Sequence, residues 1–135
     1  MSITYHVNSP VPVDKVITLY RDSGLNRPVD DPQRIAAMYA NSNLVISAWQ
    51  GEELVGVARS VTDLVYCCYL SDLAVLKVRQ GKGIGRELIA RTKAYVGDGS
   101  MLLLLSAAGA MSYYPAIGMK EVKNGFIIDR AVPPR

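Results

Sequence analysis

Hydrophobic and polar positions change rhythm several times along this chain, and each change predicts an element. Ile3, Tyr5 and Val7 alternate with Thr4, His6 and Asn8, the period of a strand with one buried face. From Val13 the apolar residues Val13, Val16, Ile17 and Tyr20 fall at helical spacing, and the run closes at Ser23-Gly24, where glycine suits a helix C-terminus. Arg27-Pro28 and Asp31-Pro32 predict a loop. A second helix follows over about Pro32 to Tyr39, with proline in the first turn, where a missing amide costs nothing. Asn43 to Trp49 and Leu54 to Ser60 are β-rich runs joined as a hairpin across Gln50-Gly51-Glu52-Glu53. Leu64 to Val78 is a third extended run, interrupted by the polar pair Ser71-Asp72.

Helical spacing returns over Gly83 to Val96, where Ile84, Leu88, Ile89, Thr92 and Val96 share a face and Arg86, Arg91 and Lys93 turn outward. Beyond Gly97-Asp98-Gly99, the unbroken apolar run Met101 to Leu105 predicts a strand buried on both faces. A short helix and a hairpin around Asn124-Gly125 complete the chain. The predicted order is β-α-α-β-β-β-α-β-α-β-β, an α/β (α+β) arrangement. With 135 residues, the expectation is one domain over 1–135 with one core.

Half of the residues are hydrophobic and a fifth charged, the balance of a folded globular chain. The opening MSITYHVN has neither a basic region nor a long apolar stretch, so the expected location is the cytoplasm. The apolar run Met101 to Met111 falls short of the roughly 18 residues of a membrane span. Cys67 and Cys68 are neighbours in an extended run, where a bridge between them would be strained. They read as buried structural thiols in a reducing compartment. His6, the single histidine, falls on the polar face of the first strand, so neither a metal site nor a Ser/His/Asp triad is expected.

Charge adds a local feature. The net charge is +3, but from Lys77 to Lys93 six basic residues face one acid, Glu87, leaving the remainder of the chain at −2. Within this segment, Leu73-Ala74-Val75 leads through Gln80 into glycines at 81, 83 and 85, and the turn opens directly into the amphipathic helix. Three positions without side chains let backbone amides converge on a ligand. The helix N-terminus adds the positive end of its dipole, so a pyrophosphate fits there. The dinucleotide fingerprint G-x-G-x-x-G fails at Arg86 or Leu88, according to register, and the absence of Gly-Lys-Ser or Gly-Lys-Thr excludes a P-loop.

The run Gln80-Gly81-Lys82-Gly83-Ile84-Gly85 resembles the Q/R-x-x-G-x-G/A motif of the Gcn5-related N-acetyltransferase (GNAT) superfamily. Ala110-Met111-Ser112-Tyr113-Tyr114-Pro115-Ala116-Ile117-Gly118-Met119 is similar to that family's A-x-x-F/L-Y-x-x-x-G-F segment. The resemblance covers essentially the whole chain and implies a mixed central sheet of six to seven strands with about four helices, as in small single-domain bacterial members. Stretches around Leu19 to Leu25, Asn41-Ser42 and Leu54 to Asp63 also resemble plant-type serotonin acetyltransferases. Lys77 stands where the family often has proline, and Ala107 where an asparagine often contacts the pantetheine.

The resemblance implies acetyl-CoA as co-substrate and direct transfer of its acetyl group to a primary amine, a small amine or arylalkylamine. It implies a cofactor site of Leu73, Ala74, Val75, Gln80, Gly81, Lys82, Gly83, Ile84, Gly85 and Arg86, with pyrophosphate on the glycine turn and pantetheine along the strand. Tyr114 is the implied general acid for the departing thiolate. Asp72 is the best acidic candidate for the base, if desolvation raises its pKa. Tyr20, Asp22, Leu25 and Trp49 are the candidate acceptor surface. No nucleic-acid or membrane partner is expected, and the resemblance is compatible with a homodimer. The rival readings are a non-catalytic CoA-binding or regulatory module and, last, a nucleic-acid binder using the basic helix.

Overall fold

A computed structural model describes residues 2–131. Its elements are β1 (Thr4–Val7), α1 (Val13–Ser23), α2 (Pro32–Ala40), β2 (Leu44–Gln50), β3 (Glu53–Thr62), β4 (Cys68–Val75), α3 (Ile84–Val96) and α4 (Tyr113–Ala116), with short 3₁₀ turns at Lys77–Arg79 and Ala108–Ala110. Predicted helix and strand positions up to Val96 agree with these bounds to within a few residues.

The strands form one antiparallel sheet in the order β1-β2-β3-β4. Apolar side chains cover both of its faces. On one, α3 packs Ile84, Leu88, Ile89 and Val96 against Leu44, Ile46, Val55 and Leu70. On the other, α1 and α2 pack Val16, Leu19, Tyr20 and Ile35 against Val45, Val57 and Ala74. Gly56 sets the approach of α3, because a Cβ there would lie 3.1 Å from both Ile84 Cγ2 and Leu88 Cδ1.

The second half departs from expectation. Four strands are present among the described residues, where six to seven were expected in a mixed sheet. Residues 101–105 do not form a strand buried on both faces. Leu103 makes a single parallel bridge to Tyr69, while Met101 and Leu105 are more than half exposed. Leu102 and Leu104 rest on the α3-side core, and among the described residues no strand flanks the outer side of the run. The expected terminal hairpin is also absent from the described residues. Phe126, Ile127 and Ile128 are exposed, so their β-rich composition finds no neighbour to pair with. Cys68 is buried as expected at the start of β4, but Cys67, in the turn before it, is exposed. Among the described residues, no helix is long and apolar enough to cross a membrane. No group of three His, Cys, Asp or Glu side chains among them could hold a metal ion.

Candidate functional site

The site is built where β4 parts from the segment that follows α3. Leu103 N donates to Cys68 O at 2.8 Å and Leu70 N donates to Leu103 O at 2.9 Å. Residues 68 and 70 therefore face this outer segment. At the next residue the pairing of β3 with β4 shifts register: Ser60 lies opposite Leu70, but Arg59 lies opposite Asp72, leaving Ser71 as the extra residue of a bulge. Beyond it Leu76 N donates to Val55 O. By antiparallel alternation, residues 72 and 74 bond β3, while Leu73 and Val75 turn their main-chain groups outward. The bulge thus switches parity where the neighbouring segment departs, and β4 gains an open polar edge.

At the end of this edge the chain turns sharply. The Asp22 carboxylate accepts a hydrogen bond from Lys77 N at 2.8 Å. A proline at 77 could not donate, so this departure from the family motif has a local use. The Gln80 side-chain amide donates to Val75 O at 3.0 Å, drawing the turn back onto the strand. Gly81 and Gly83 adopt φ values of +79° and +89°, in the left-handed region that favours glycine. Gly83 is the N-cap of α3 and has no side chain to cap it. The first helical bond runs from Glu87 N to Gly83 O, so the amides of Ile84, Gly85 and Arg86 lack intrahelical acceptors. Such amides, with the helix dipole and the exposed Lys82 and Arg86, can take phosphate oxygens.

The tyrosine segment docks on the same corner. A Cβ on Gly85 would lie 3.2 Å from the Tyr113 hydroxyl and 3.8 Å from Val75 Cγ2, so the glycine admits α4 against the first turn of α3. Gly118, at φ +95°, terminates α4. Its N–H bonds Pro115 O at 3.1 Å, and Met119 N bonds Tyr114 O at 3.0 Å, a Schellman closure that explains glycine four residues after Tyr114. Tyr114 is half-buried against the α3-side core and meets Tyr113 edge-on, with ring centroids 5.1 Å apart. Desolvation, then the neighbouring Tyr113, raises its pKa above the ordinary phenol value, so it holds its proton at neutral pH.

Asp72 is where sequence reasoning fails. Its side chain is fully buried. Arg27 Nε donates to Oδ1 at 2.6 Å, and Arg59 Nε and the Tyr20 hydroxyl each donate to Oδ2 at 2.7 Å. Burial alone would raise its pKa, but the hydrogen bond and charge of Arg59, then the charge of Arg27, outweigh it and hold the pKa below the ordinary value of 3.8. The expected rise that would suit a base is therefore overturned. Tyr20 and Tyr39 hydroxyls lie 2.7 Å apart, extending the network, and burial pushes both phenols well up.

Of the expected acceptor surface, Asp22 stays exposed with its carboxylate on Lys77 N, and Leu25 and Trp49 are half-buried. Tyr20 is buried, and Leu25 and Trp49 pack on the same core cluster, with Trp49 beneath the Lys15 ammonium at 5.2 Å. His6 is exposed. Arg27 and Arg59, which sequence reasoning missed, carry no motif signal, because they lie 45 and 13 residues from their shared partner.

A family model for the acetyltransferase (GNAT) domain matches residues 20–129. The chain belongs to the GNAT family. It is 30% identical over 98 residues to an uncharacterized ycf52-like N-acetyltransferase of Prochlorococcus marinus, a match covering 68% of this chain and 53% of that one. The GNAT chain therefore spans about half the length of that relative. A GNAT family acetyltransferase from Streptococcus pneumoniae superposes with TM-score 0.75 at 22% identity, covering 96% of this chain and 99% of that one. The aminoglycoside N-acetyltransferase AAC(6')-Iy, solved in complex with CoA, superposes with TM-score 0.73 at 13% identity, covering 97% and 96%. At these identities the structural likeness shows a shared GNAT fold.

Proposed function

We propose that this chain transfers the acetyl group of acetyl-CoA to a primary amine, a small amine or arylalkylamine, by direct attack in a ternary complex. The observation that carries the reading is the continuity of two backbone features. The edge of β4, open at Leu73 and at the Val75 N–H, runs into a turn whose amides at 84–86 lack helical partners. A ligand with a diphosphate at one end and an amide-bearing arm fits both together. CoA is such a ligand, and a GNAT-fold neighbour holds it. Bound as acetyl-CoA, it would supply an activated thioester.

In this reading Gly81, Lys82, Gly83, Ile84, Gly85 and Arg86 take the pyrophosphate through main-chain amides and two side-chain charges. Leu73, Ala74 and Val75 form the stretch of strand that orients the arm. Gln80 contributes indirectly, since its amide occupies Val75 O and fixes the turn. Tyr114 holds a proton for the sulfur. As the amine nitrogen bonds the acyl carbon and the carbon–sulfur bond breaks, the phenol protonates the departing thiolate. The proton lost by the amine leaves through solvent rather than through Asp72, whose two oxygens are already occupied. The acceptor class rests on the family resemblance. Some GNAT-fold neighbours are aminoglycoside acetyltransferases, so aminoglycosides belong in the acceptor panel.

The test is calorimetry with CoA and acetyl-CoA, followed by CoA release across a panel of arylalkylamines, polyamines and aminoglycosides. Binding with turnover is expected, and Tyr114→Phe should lower kcat by about 10²–10⁴-fold. No binding of either thioester or thiol would sink the reading. Binding without turnover across the panel would favour a CoA-binding module instead.

A further inference from the structure

We propose that Arg27 is a positioning residue for the arm of CoA, reaching from the α1–α2 loop to brace the β4 bulge and so keep Leu73 and Val75 facing the open edge. The inference rests on the CoA-binding reading above, but it concerns a side chain that belongs to neither the glycine turn nor the tyrosine segment.

Three observations carry it. The first is how fully Arg27 engages the bulge. Its Nε binds Asp72 Oδ1 at 2.6 Å, and its Nη2 donates to the main-chain oxygen of Ser71 at 2.7 Å. One guanidinium thus spans both residues of the irregularity, holding the carbonyl of the extra residue and the carboxylate of the next. Arg59 closes the other side, with Nε on Asp72 Oδ2 at 2.7 Å and Nη2 on Ser71 Oγ at 3.1 Å.

Parity is the second. Leu70 uses its N–H outward toward Leu103, and two residues later the outward positions would be 72 and 74 in a regular strand. The bulge hands that role to 73 and 75. A strand that relaxed by one residue would exchange the two sets, turning Leu73 and Val75 toward β3. Side chains follow the same switch. Cys68 and Leu70 belong to the α3-side core, whereas Ala74 belongs to the α1/α2-side core, as does the direction of Asp72 toward Tyr20.

The third is that the loop has anchors besides Arg27, although Arg27 Nη1 also donates to Asn26 O within it at 2.7 Å. Val29 is buried in the core and Asp31 N bonds Pro28 O at 3.0 Å. Arg21 grips Asp30 at 2.8 Å, and Gly24 in the left-handed region closes α1. The loop has its own anchors, so the Arg27 side chain, about a quarter exposed, can be removed without undoing them. Its reach of 45 residues to Asp72 serves the bulge.

The test compares two probes. ADP carries the diphosphate but no pantetheine arm, whereas CoA carries both. Calorimetry on the intact chain with Arg27→Ala should show CoA affinity lowered about tenfold, the worth of one lost main-chain hydrogen bond, and ADP affinity unchanged. Amide hydrogen exchange at Ser71 to Val75 should quicken while that of α3 does not. Arg27→Lys keeps the charge beside Asp72 but cannot bridge to Ser71 O with planar geometry. It should bind CoA with intermediate affinity, and it keeps the comparison available if the alanine variant does not fold. Equal weakening of ADP and CoA, or an unchanged CoA affinity with unchanged exchange at 71–75, would overturn the proposal. Failure of the unmodified chain to bind CoA would instead strike the functional reading itself.

Discussion

The two halves of the cleft, the turn at 80–86 and the bulge at 71–72, both present main chain to a ligand but are held in opposite ways. The turn keeps its shape by local conformation. Gly81 and Gly83 sit at positive φ, and a Cβ at either position would meet nothing within 4 Å, so the demand is on the backbone alone. The bulge is held by tertiary side chains. Arg27 comes from a loop, Arg59 from β3 and Tyr20 from α1, all onto one carboxylate. A site held mainly by backbone conformation should be most sensitive at its glycines, with Gln80 and the buried Ile84 as its side-chain supports, whereas a side-chain site should fail when any central partner is lost.

The largest break should come at Asp72. Replacing it by asparagine leaves Arg27 and Arg59 partly buried without a counter-charge, and the expected cost is about 3–5 kcal/mol, read by urea unfolding. A loss below about 1 kcal/mol would show that the bulge does not depend on its carboxylate. Smaller is the effect at Gly83. Alanine at φ +89° should cost about 1–2 kcal/mol and weaken CoA binding. Lys82→Ala, on the exposed side of the same turn, should change stability by less than about 0.5 kcal/mol.

The finest test is acid titration. Asp72 has a folded pKa below its ordinary 3.8, so its contribution is fully present above that value and is lost as pH falls through the folded pKa. Asp63 follows the same sign by another route. Its exposed carboxylate accepts hydrogen bonds from the amides of Tyr66, Val65 and Cys67, which bring its pKa to about 2. Stability should therefore decline from about pH 3.8 downward. Asp72→Asn should flatten that decline, and an unchanged acid slope in the variant would contradict the assignment.

Much of the fold was legible in order. The helices at Val13–Ser23, Pro32–Ala40 and Ile84–Val96 announce themselves by 3.6-residue spacing and by proline or glycine at their ends. The β2–β3 hairpin is similarly marked by Gly51, at φ +60°. The glycine turn and the Tyr114 to Gly118 spacing were legible too, because each is a backbone requirement written within a few consecutive residues. Met101 to Leu105 misled. An apolar run states that side chains are to be covered, but not whether a strand will pair beside them. The ionisation of Asp72 was not legible either, since burial and counter-charge push a carboxylate in opposite directions and its counter-charges lie 45 and 13 residues away in the chain.

By itself, then, the amino-acid order determined the periodic elements, the two glycine-dependent turns and the basic character of the segment from 77 to 93, because periodicity and φ preference act over a few neighbouring residues. Only the tertiary structure decided the parity switch at Ser71, the gathering of Arg27, Arg59 and Tyr20 on Asp72, and the number of strands. Each of those depends on contacts between residues far apart in the chain, whose energies the local pattern does not contain.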